Sequence, residues 1–185
     1  MILPIYSYGC NVLSKKTDFI SSDYANLKDI ISNMYETMYN ASGVGLAAPQ
    51  VGISISLFIV DASPFKEEDP STDNFKKIFI NPKIIEQTGD DWSFNEGCLS
   101  IPNIRHDIIR KSCIKIQYYN ENFELFEESF SGIIARIIQH EYDHLNGVLF
   151  TDYLSSLKKR LIKRKLYNIS KGNIDVNYRM KFPLK

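Results

Sequence analysis

The densest chemistry in the chain is "QHEYDHLNG", residues 139 to 147, where two histidines and two acids fall close together. Residues four apart in an α-helix share a face, so the imidazoles of His140 and His144 can reach one metal ion, with Glu141 projecting beside them. Neutral imidazole binds zinc and related ions well, and a hydrolytic site keeps three protein ligands while leaving a position open to water. A third ligand is therefore required. Two histidines four apart also occur as a plain surface or core pair. His106 is the only other histidine, however, so two of the three sit at one spot. Asp143, between them, is suited to accept the second N–H of an imidazole or to satisfy neighbouring groups.

Metalloproteases with this helix usually take their third ligand, a His or Glu, from downstream, yet residues 145–185 contain neither. Asp152 and Asp175 are the acids left in that stretch. Upstream, "EGCLS" (96–100) sets Cys98 directly after a glycine, where the backbone can approach an ion closely, and a thiolate is the softer and better donor. An isolated cysteine is otherwise most often a buried apolar residue. "GVGLAAPQVG" (43–52) is glycine-rich without the lysine of a phosphate loop. It reads either as a plain turn or as a stretch past which an extended substrate backbone runs closely.

The elements that must position these residues follow from periodicity. "SSDYANLKDIISNMYETMYNASG" predicts a helix with a Ser or Asp cap near position 22, an apolar stripe of Leu27, Ile30, Ile31, Met34 and Met38, and an end near Asn40. "ISLFIV" (55–60) and "KIFINPKII" (77–85, interrupted at Pro82) predict strands, joined by a polar, proline-broken loop. "CIKIQYY" and "FELFEESF" predict a hairpin around "NEN". A second helix starts near Ser131, carries the histidines and stops at Asn146-Gly147. A third spans 154–166 with Leu154, Leu157, Leu161 and Leu166 along one side. Strands and helices are segregated rather than alternating, which predicts an α+β fold in one domain over residues 1–185.

Hydrophobic residues at 44% and charged residues at 24% exclude a disordered chain. No apolar run approaches the roughly 20 residues of a membrane span, and the N-terminus lacks a basic region before a long apolar one. Three scattered cysteines make a poor disulfide framework, so a reducing, cytoplasmic setting is expected. The formal charge is zero, but from Tyr153 onward ten Lys/Arg face one acid, Asp175. Six of those positives fall within 158–165. They form either a solvated helix face or a surface for an anionic partner.

Three stretches, "GVGLAAPQ" (43–50), "EGCLS" (96–100) and "QHEYDH" (139–144), resemble in order and spacing the signature motifs of bacterial peptide deformylases, and the resemblance covers roughly residues 1–170. It implies antiparallel sheets packed around a central helix bearing the histidines, with one N-terminal and one C-terminal helix. It also implies an enzyme that removes the formyl group from the N-terminal formyl-methionine of new polypeptides. Cys98, His140 and His144 would hold Fe2+, with Zn2+, Ni2+ or Co2+ as replacements, and Glu141 would act as general acid and base. Gln50 and the N–H of Leu99 would hold the formyl oxygen. Gly45 would offer its carbonyl to the substrate backbone, and Arg105 would position the chain beyond methionine. Ile133 and Ile137 are the expected walls of the methionine pocket.

The resemblance further suggests a ribosome contact through the basic C-terminal helix, with no membrane or DNA partner. Two departures stand out. Ser42 stands where many relatives have an acidic residue, so any charge partner that residue gives Arg105 in them is not expected here. Arg136 sits where relatives often have an apolar residue, and it must curl either toward Glu96 or into solvent. A zincin-like endopeptidase and a closed structural metal domain are the competing readings; neither accounts for Gln50 and Cys98 together.

Overall fold

The computed structural model describes residues 1–183. Its elements are β1 (Ile5–Tyr6), α1 (Leu27–Asn40), β2 (Gly45–Ala47), β3 (Leu57–Asp61), β4 (Lys76–Cys98), β5 (Ile101–Tyr119), β6 (Leu125–Ser131), α2 (Gly132–Leu145), α3 (Ser156–Ser170) and β7 (Met180–Lys181). Strands β2 to β6 form one antiparallel sheet in chain order, and β1 pairs with β7 in a small parallel sheet. The fold is α+β.

α2 is buried nearly all round, including Ile133, Ile134, Ala135, Ile137, Ile138 and Leu145, as a helix in the middle of a core must be. It packs on the sheet through Phe58, Phe79, Ile114 and Ile116. Its end is sharp because Gly147 adopts φ +71, a conformation open to glycine, and a Cβ there would lie 2.7 Å from the Ser14 backbone. α1 covers a second cluster with Leu27, Ile31, Met34 and Met38. It begins at Leu27 after a left-handed Asn26 rather than from a cap near residue 22.

The sheet departs from the sequence expectation at its longest element. β4 and β5 form one extended hairpin that runs through residues 86–112, and Cys98 lies at its tip, where Cys98 pairs with Ile101. Pro82 does not end β4. Pairing passes from Ile80/Tyr119 to Lys83/Gln117, so a bulge absorbs Asn81 and Pro82. Of the expected α3 stripe, Leu154 and Leu166 are buried, but Leu157 and Leu161 are exposed and Ile162 and Ile169 turn inward instead.

Candidate functional site

α2 and the tip of the β4–β5 hairpin meet at the site. Ligand atoms of Cys98, His140 and His144 lie within 4.8 Å of one another, and Cys98 Sγ is 3.3 Å from His144 Nε2. That compactness suits one shared ion with bonds of roughly 2.0–2.3 Å, and a thiolate with two imidazoles is a donor set for zinc or a ferrous ion. The other candidates for third ligand are elsewhere. Asp152 accepts a hydrogen bond from the Leu149 N–H, and Asp175 lies exposed at the rim of the cleft. His106 sits opposite Glu96 on the neighbouring strand and does not join the group.

The residue that orients His140 is Glu96 rather than Asp143. Glu96 Oε2 lies 2.9 Å from His140 Nδ1, which leaves Nε2 for a metal. Arg110 grips the same carboxylate through Nε at 2.7 Å and Nη2 at 3.1 Å, and Arg136 Nη1 donates to its Oε1 at 2.9 Å. Arg136 therefore curls inward. It also donates to the carbonyls of Ile108 and Trp92, and its guanidinium lies over the Trp92 ring. Burial raises the Glu96 pKa, but hydrogen bonds from His140 and Arg110 outweigh it and hold the carboxylate well below its usual range. Asp143 instead takes Arg110 Nη1 at 2.7 Å and the Tyr153 hydroxyl at 2.9 Å.

Glu141 has a different environment. Burial pushes its pKa up to about 7, against the pull of His140, and its Oε2 has no hydrogen-bond partner among the described residues. Buried polar atoms are nearly always partnered, so this oxygen is poised for something that enters the cleft. A Cβ at Gly45 would lie 2.5 Å from Glu141 Oε1, so glycine there is what makes room for the carboxylate.

Gln50 closes the short helical turn Ala48–Val51. Its Oε1 accepts the Ala47 N–H at 2.9 Å, which turns Nε2 toward Cys98 Sγ at 3.5 Å and Ser100 Oγ at 3.3 Å. The amide thus aims a donor at the site. Leu99 follows the cysteine, and its carbonyl takes the Tyr178 hydroxyl at 2.8 Å. Arg105 lies back along β4, donating to the side chain and carbonyl of Asn95.

These groups open onto a cleft of about 690 Å³ lined by Ser42, Gly45, Gln50, Ile137 and Arg105 among others. Ile133 is not at its wall. It lies one turn along α2, inside the core cluster, and the apolar lining includes Ile137, Phe65, Phe94 and Val44. Sequence reasoning missed Phe65, Phe94, Arg110 and Tyr178. Only their long-range placement gives them a role.

A near-neutral carboxylate beside three convergent metal donors is the arrangement of a metallohydrolase, here carried on one buried helix of an α+β scaffold. The chain belongs to the polypeptide deformylase family, whose model matches residues 2–160. It is 55% identical to the peptide deformylase of Christiangramia forsetii, over 99% of this chain and 97% of that one. It is 56% identical to that of Flavobacterium johnsoniae, over 98% and 96% respectively. Among solved structures, a peptide deformylase from Legionella pneumophila matches at 33% identity and TM-score 0.81, covering 94% of this chain and 98% of that one. One from Thermotoga maritima matches at 42% identity and TM-score 0.76, covering 84% and 99%.

Proposed function

We propose that this chain hydrolyses the formyl group from the N-terminal formyl-methionine of newly made polypeptides in the cytoplasm, releasing formate, with Cys98, His140 and His144 holding Fe2+. The observation that carries the reading is the meeting of Cys98 with the two imidazoles beside a carboxylate that has an unpartnered oxygen. Three protein donors among the described residues favour a working site over a closed structural one. When bound, the ion supplies Lewis acidity, polarising the formyl oxygen and making water a nucleophile near neutral pH.

The protein's own groups do the rest. Glu141, with a pKa of about 7, takes a proton from the attacking water and returns it to the departing amine nitrogen. Gln50 Nε2 and the Leu99 N–H donate to the formyl oxygen as it gains charge. Gly45 lies on β2, an outer strand of the sheet, so its carbonyl is suited to meet an extended peptide. Ile137, with Phe65 and Phe94, gives the methionine side chain an apolar wall, and Arg105, held on Asn95, flanks the peptide beyond it.

Formate release from a formyl-Met peptide tests this reading. A chelator should abolish it, Fe2+ should restore it, and Glu141→Ala should remove it. Gln50→Ala should lose about a hundredfold to a thousandfold in turnover. Activity that survives both the chelator and Glu141→Ala would overturn the mechanism. The six positives of 158–165 are all exposed, which supports α3 as a contact for an anionic partner, here ribosomal RNA. Co-sedimentation with ribosomes should then weaken steeply with salt, and its absence at low salt would remove the idea.

A further inference from the structure

After α3 the chain turns back to the cleft. Residues 173–181 form an arm that bends at Asn177 and Tyr178, in which Ile174, Val176, Tyr178 and Met180 are half-buried and Asn173, Asp175, Asn177 and Arg179 are exposed. The arm is fixed at several points. Its end pairs in parallel with Ile5 and Tyr6, and the N–H groups of Ile5 and Ser7 donate to the carbonyls of Arg179 and Lys181 at 2.8 and 2.9 Å. The Tyr178 hydroxyl donates to the Leu99 carbonyl, and the Asn103 side chain donates to the Asp175 carbonyl at 3.4 Å. Asp175 through Tyr178 line the same cleft as the catalytic groups. This wall lies beyond residue 160, where the family match ends.

Charge decides what such a wall selects. Among the described residues three acids line the cleft: Glu96, Glu141 and Asp175. Glu96 is neutralised by Arg110 and Arg136, and Glu141 is buried, so Asp175 is the acid that faces solvent. Among the described residues, Arg105 is the exposed cation of the lining, tied back on Asn95. With the methionine side chain seated against Ile137, the residues that follow must leave the cleft past this rim. We propose that the C-terminal arm is a specificity-determining wall and that Asp175 favours polypeptides carrying Lys or Arg in the first positions after methionine, an inference that rests on the deformylase reading of the site.

The test compares kcat/KM for formate release from formyl-Met-Lys-Ala against formyl-Met-Glu-Ala, and from formyl-Met-Ala-Lys against formyl-Met-Ala-Glu, at low salt. Formyl-Met-Ala-Ser serves as the neutral reference. The natural chain should prefer Lys over Glu by about two- to fivefold in one pair, the range of an exposed ion pair, and the preference should shrink with added salt. Asp175→Asn should bring that ratio near one, and Asp175→Lys should invert it. Thermal melts check that each variant is folded, which the exposure of the side chain favours. A Lys/Glu ratio that is the same in all three proteins, or no preference in the natural chain, overturns the proposal. Failure of the deformylase reading looks different, because then the natural chain releases no formate even from formyl-Met-Ala-Ser.

Discussion

Glu96 and Glu128 are both sheet glutamates paired with basic side chains, and they sit in opposite surroundings. The Glu96 side chain is 3% exposed and shares its two oxygens among Arg110, Arg136 and His140. Glu128, on strand β6 at the other outer edge of the sheet, is 34% exposed and takes Lys77 at 2.8 Å together with the Tyr118 hydroxyl. In the buried region every charge depends on the next. At the edge, water can replace any partner. A buried ion cluster adds little net stability over apolar residues of the same shape, because desolving its members offsets their attraction. Its consequence is orientation: Glu96 fixes which nitrogen of His140 faces the other ligands, and the arginines fix Glu96.

The largest effect should come from breaking the buried hub. Glu96→Gln leaves Arg136 without a counter-charge in the core and Arg110 with Asp143 alone, and a stability loss of about 3–5 kcal/mol is expected from urea unfolding. The same change should weaken metal affinity roughly ten- to a hundredfold, as loss of a partner behind a ligand usually does. Arg136→Met keeps Arg110 and His140 on Glu96, so it should cost less, about 1–3 kcal/mol, and shift metal affinity little. A Glu96→Gln loss below about 1 kcal/mol would mean the cluster behaves like an exposed pair, and the contrast between the two regions would collapse.

The ligand helix was legible because its signal is local: two histidines one turn apart, an apolar helical pattern and an Asn-Gly stop all lie within one segment. The β5–β6 hairpin was legible for the same reason, with alternating residues on both sides of a polar turn. The long β4–β5 arms were not. "QTGDDWS" is poor in strand-forming residues, and it is extended because the opposing strand supplies a ladder of partners, with bulges where the pairing slips. α3 carries two apolar stripes that both fit a helix, and only the tertiary contacts choose Ile162, Leu166 and Ile169 over Leu157 and Leu161. Ile133 and Ile137 likewise share a helix face one turn apart, and the cleft reaches only the second. Arg110 was hidden for a stronger physical reason, whereas Arg136 was already singled out with Glu96 as one of its two possible destinations. A buried cation is defined by its counter-charge, and that of Arg110 sits 14 residues away on the neighbouring strand.

The edge pair should show the smallest effect and a distinct pH dependence. Partial burial raises the pKa of Glu128, but hydrogen bonds from Lys77 and Tyr118 and the Lys77 charge outweigh it, so the folded pKa lies below the ordinary 4.5. A depressed carboxylate stabilises the fold above its unfolded pKa, and that contribution is lost as pH falls through the folded value. Glu128→Gln should therefore cost about 0.2–1 kcal/mol at pH 7, seen as a small drop in Tm. The gap in Tm between the two proteins should narrow as pH falls below about 4.5, because protonation takes the same interaction from the natural chain. A gap that stays constant from pH 7 to pH 3 would show that Lys77 does not favour the Glu128 carboxylate in the folded state, and the edge would no longer serve as the solvated counterpart of the buried hub.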